Sequence, residues 1–146
     1  MPGNSERVDP KTLWAHPDLT PPQDPVLIDL LKKALTGDIP VYFAAVPLKL
    51  IQPFSNFDPR KNLVGRQAIV DTQARWRNQQ FQNMLVYQQG EKFVMSDDYI
   101  TYYACLEGDP DFVPCWVLGE CTSPEAHDVQ GPIKTEDLNQ ILLGAD

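Results

Sequence analysis

The chain has 146 residues, 42% of them hydrophobic and 22% charged, with a net charge of −8. Those values fit one domain with its own core and exclude a chain that stays unfolded for want of apolar residues. No apolar run approaches the ~20 residues of a membrane helix. The opening MPGNSERVDPKTLWAHP lacks the apolar centre of a secretory signal. Cys105, Cys115 and Cys121 are few and odd in number, so free thiols in a reducing, cytoplasmic setting are the expectation.

Residues 1–25 are rich in proline and polar residues and read as an irregular arm, with Trp14 as an aromatic that packs the arm onto the body or, as the alternative, anchors a partner. Residues 26–146 then read as a single domain. Asp24 and Pro25 form an N-cap and first helical position, and Val26, Leu27, Leu30, Leu31, Ala34 and Leu35 recur at helical spacing up to Gly37. Ile39 to Ile51 predicts a strand that bends at Pro47. A loop, QPFSNFDPRKN, leads to a helix over 66–81 with Ile69, Val70, Gln73, Trp76 and Arg77 near one side.

A hairpin follows, Asn83–Gln89 and Lys92–Met95, turning at Gln89-Gly90. Ser96 or Asp97 is expected to cap the next helix, which turns Ile100, Tyr103, Ala104 and Leu106 inward and ends at Gly108. Phe112–Leu118 predicts a last strand, placed at the sheet edge because it contains Pro114. GECTSPEAHDVQGP reads as loop. Thr135 opens a final helix with Glu136 and Asp137 in its first turn and Gly144 beyond it. The mixture predicts an α+β fold, a small mixed sheet with flanking helices.

Charge is unevenly spread. Residues 1–92 hold 11 Lys and Arg against 9 Asp and Glu, whereas residues 93–146 hold one Lys against 11 Asp and Glu. An acidic chain is a poor general binder of nucleic acid, whose affinity comes largely from cations replacing counterions. Arg66, Arg75 and Arg77 could still form a local basic face for DNA, or simply the solvated side of a helix.

Few groupings could carry chemistry. Asp97 and Asp98 stand at a helix entrance, where carboxylates cap N–H groups and suit the dipole; a metal site there would need further oxygen ligands from elsewhere. Cys115, Cys121 and His127 are too widely spaced for a compact zinc site and lack a fourth ligand, so no metal is assigned. Neither GxxxxGK[ST] nor GxGxxG is present.

The order of motifs resembles the ParB/sulfiredoxin-like superfamily over about residues 40–119. It rests on the PLKLIxP segment, the loop NFDPRKN, the basic helix, VYxxGEKFVMSDDYITYYA and VPCWVLG. Pro59 and Arg60 match the family's Pro-Arg loop. Asp97 falls on its junction aspartate, Tyr102 on its aromatic and Ala104 on its small residue. Asp98 replaces the glycine that admits phosphate, Thr101 replaces the arginine that neutralises it, and Ile100 stands where sulfiredoxin has its cysteine. The resemblance therefore implies a phosphate or ligand site at Arg60, Asp97, Asp98 and Thr101 whose cradle has turned anionic. It implies a non-catalytic binding or regulatory module without cofactor, most simply one with a protein partner. Two alternatives stay open: a ParB-like nuclease or CTP/ATP hydrolase using Mg²⁺ held by the two aspartates, and a nucleic-acid adaptor using Arg66, Arg75 and Arg77.

Overall fold

The computed structural model describes residues 21–80 and 82–142. Most of the expected arm, with Trp14, lies outside the described residues, as do Phe81 and Gly144. The strands are β1 Val41–Pro47, β2 Ile51–Pro53, β3 Met84–Gln89, β4 Lys92–Met95, β5 Phe112–Leu118 and β6 His127–Gln130. The α-helices are α1 Pro25–Leu35, α2 Leu63–Arg77, α3 Tyr99–Gly108 and α4 Thr135–Leu142. The strands form one open mixed sheet in the order β2-β4-β3-β5-β1-β6. β2–β4 and β3–β5 run parallel and the other three pairs antiparallel. This is the expected α+β arrangement of a small mixed sheet with flanking helices.

Strand alternation divides the core between the two faces. Met84, Val86, Phe93, Met95, Cys115 and Val117 bury toward Tyr99, Tyr102 and Cys105 of α3, with Trp76 of α2 against them. Tyr87, Val94 and Leu118 bury on the other face toward Leu27 and Ala34 of α1 and Leu138 of α4. Asp24 joins these layers. Its Oδ1 accepts the Val26 N–H at 2.9 Å and caps α1, while its Oδ2 accepts the Tyr87 hydroxyl at 2.6 Å. The residue is 2% exposed, so both bonds are needed to offset its burial.

Four local expectations are corrected. β5 is central rather than an edge: Pro114 lies opposite Ala45, one residue before β3 begins to pair at Met84–Cys115, so its missing N–H costs that ladder nothing. The segment read as a loop contains β6, whose residues are all exposed and whose pairing to β1 is interrupted by a bulge, leaving no apolar alternation to read. α2 starts three residues earlier than expected, because Asn62 accepts the Gly65 N–H at 2.8 Å, and it leaves Val70 and Arg77 in solvent. In α3 the buried side chains are Tyr99, Thr101, Tyr102, Ala104 and Cys105, while Leu106 is exposed. No helix among the described residues is long and apolar enough to cross a membrane.

Candidate functional site

The β4–α3 junction is built differently from a capped helix entrance. The N-cap position belongs to Asp98, not to Ser96 or Asp97, and its side chain makes no capping bond. Its Oδ2 instead accepts the Leu85 N–H of β3 at 2.8 Å. Ser96 is buried and its hydroxyl has no partner among the described residues. Burial pushes the Asp98 carboxyl up to about 6; the Leu85 bond opposes that shift, and the charge of Asp97 adds to it.

The junction opens onto a cleft of about 540 Å³ shared with α2. Asp97, Asp98 and Thr101 line it from one side, and Asp71, Thr72 and Arg75 from the other. Tyr99 lines it too, its ring meeting Phe57 edge-to-face at 5.2 Å and its hydroxyl accepting the Ser55 N–H at 3.1 Å. Tyr102 lines a separate cavity of about 700 Å³ beside Leu106, Phe112 and His127.

Three of the four predicted ligand residues are thus brought together, and Arg60 is not among those lining the cleft. The Arg60 guanidinium donates from Nε and Nη2 to the two Asp58 oxygens at 3.0 and 2.9 Å and lies 4.5 Å from the centre of the Tyr103 ring. This pairing holds the Asp58 carboxyl below the ordinary carboxylate range. The cation that reaches the cleft is Arg75, whose Nη2 donates to Thr72 Oγ1 at 2.9 Å.

Helix geometry explains the division of the basic residues. At 3.6 residues per turn, Arg66 and Arg77 fall within about 20° of each other and about 16 Å apart, whereas Arg75 lies about 180° away from Arg66. Arg66 and Arg77 are exposed and form no ion pair among the described residues. Val70, 51% exposed, lies between them.

No protein-family model matches this chain, and no curated protein does.

The cleft therefore sets three carboxylates against one guanidinium. Such a lining repels phosphate and attracts a cation. The thiols offer little chemistry. Cys105 and Cys115 are buried, and burial pushes the Cys105 thiol up to about 11 and Cys115 further still. The nucleophilic thiolate is correspondingly suppressed. Sequence reasoning missed Arg75 as a cleft residue and Asp71 as its neighbour; their i, i+4 spacing on one flank of α2 was the available signal.

Proposed function

We propose that this chain is a non-catalytic binding or regulatory protein, built on a ParB/sulfiredoxin-like frame whose phosphate site has been converted to an anionic cleft. A protein segment presenting a lysine or arginine is the partner that suits the lining. The bond between the Leu85 N–H and Asp98 carries this reading. It fixes a carboxylate where the family's glycine would let phosphate approach the backbone. The three free thiols support action in the cytoplasm.

Isothermal titration with CTP and with ATP, each with Mg²⁺, tests the proposal. No binding is expected up to millimolar nucleotide, and micromolar affinity would overturn it. A ParB-like nuclease or CTP/ATP hydrolase would hold Mg²⁺ between Asp97, Asp98 and the substrate phosphates, so the same titration tests that reading as well.

The exposed stripe of Arg66, Val70 and Arg77 favours a second reading, contact with nucleic acid along α2. Two phosphate contacts predict a log–log salt slope of about −2 on duplex DNA. Arg66→Ala with Arg77→Ala should abolish that binding, and Arg75→Ala should leave it in place. Fluorescence anisotropy at several salt concentrations decides, and salt-independent binding would dismiss this surface.

A further inference from the structure

The turn after β1 and the loop after α3 line the second cavity, of about 700 Å³, which shares no residue with the anionic cleft. Its walls are held by the fold itself. The Leu48 N–H donates to the Asp111 carbonyl at 3.1 Å, and Pro47 lies opposite Phe112 in the β1–β5 pairing. Apolar side chains are left in water at this place: Leu106 is 41% exposed and Phe112 42%. The Phe112 ring stands edge-to-face against His127 at 4.7 Å, which fixes its orientation.

The lining narrows what could cover these groups. Pro47, Pro110 and Pro124 lack the N–H that a strand ladder needs, so this wall cannot hold a partner as an added β-strand. The hydroxyls of Tyr87 and Tyr99 are bonded within the protein, whereas that of Tyr102 has no partner among the described residues. It is a donor for a carbonyl. A helix keeps most of its carbonyls for its own bonds, whereas polyproline II leaves every one free. Charge narrows the choice further. Glu125 takes up Lys49 at 3.5 Å, while Asp109 and Asp111 form no ion pair among the described residues. The cavity is therefore apolar with an anionic rim.

We infer that this cavity is a second docking surface, which takes an extended proline-rich segment of a partner protein. A lysine or arginine flanking that segment meets Asp109 and Asp111. The inference is independent of what the anionic cleft binds.

Amide NMR of the full chain tests it, with a synthetic peptide of prolines and leucines ending in two arginines. Two control peptides replace the arginines by glutamate or the prolines by alanine. The first peptide is expected to shift the amides of Leu106, Phe112 and His127 at submillimolar concentration and to leave Thr72 and Ile100 unmoved. Asp109→Asn with Asp111→Asn should weaken it about 5-fold, the worth of two exposed ion pairs. Asparagine tolerates the left-handed backbone of Asp109, at φ 53°. Tyr102→Phe keeps the ring and should weaken binding by a similar factor, through one lost hydrogen bond. Shifts confined to the cleft amides overturn the second surface, as does the absence of any shift. Equal binding of the glutamate peptide overturns the part given to the aspartates, and equal binding of the alanine peptide overturns the proline-rich occupant. If the three amides move with protein concentration before peptide is added, the occupant is a second copy of this chain and the inference falls.

Discussion

Gly65→Ala should destabilise the protein by about 3 kcal/mol, although alanine is the better helix former. Propensity alone favours alanine over glycine inside a helix by about 1 kcal/mol, so the two effects have opposite signs. Gly65 is buried in the first turn of α2, where a Cβ would overlap the backbone carbonyl oxygen of Pro59. A backbone atom cannot swing aside as a flexible side chain can. Either α2 lifts from the Pro59–Lys61 turn or the turn unwinds. Lifting α2 would also move Asp71 and Arg75 away from Asp97, so the cleft should lose its shape along with the stability. Urea unfolding of the two proteins measures the difference, and a variant as stable as the parent would show that α2 does not sit this close to the loop.

Asp98→Asn should act in the opposite direction and should be visible through its pH dependence. The folded Asp98 carboxyl titrates at about 6, against an ordinary value of 3.8. Between those values the folded state binds the proton that the unfolded state has already released. Stability therefore falls as pH rises from about 4 to about 6 and is flat above, as far as this group is concerned. The penalty at pH 8 is about 3 kcal/mol, because a carboxyl that titrates one pH unit too high costs about 1.4 kcal/mol when ionised and Asp98 lies about two pH units too high. Asparagine removes the charge and keeps an oxygen for the Leu85 N–H, though a neutral acceptor makes a weaker bond. The variant should therefore be about 1–2 kcal/mol more stable at pH 8 and level with the parent near pH 4. Chemical unfolding at pH 4, 6 and 8 provides the measurement. A variant weaker than the parent at pH 8 would falsify the description of Asp98 as a charge held at a cost. Charges held at such a cost recur at functional sites, which supports counting Asp98 with the proposed cleft.

The fold was legible wherever backbone conformation and burial period agreed. The hairpin is the clearest case: Gly90 takes a positive φ of 63° at its turn, and the strands on either side alternate between two buried faces. β6 gave no such signal, because a strand exposed on both faces has no period. Pro114 misleads because a missing N–H points to an edge strand, when neighbouring β3 simply starts one residue further on. The site was half legible. Asp97, Asp98 and Thr101 could be placed together because they share one junction. Whether Asp98 caps its own helix or accepts from β3 depends on a strand 13 residues away, which a helix-entrance pattern cannot report. Arg60 stands out for its place in a motif, yet its neighbour Asp58 takes up its charge.

The strand order also bears on how the chain acquires its structure during synthesis. β2, β4 and β3 lie side by side and are complete once Met95 is made. β1 is translated before all of them, yet both of its partners, β5 and β6, come from beyond residue 111. Contacts between residues so far apart in sequence form late, because the intervening chain must first close a long loop. An early strand with apolar Val41, Ala44 and Val46 must therefore wait unpaired while the rest of the domain emerges. That interval, rather than the finished fold, is when this protein is most exposed to pairing with the wrong neighbour.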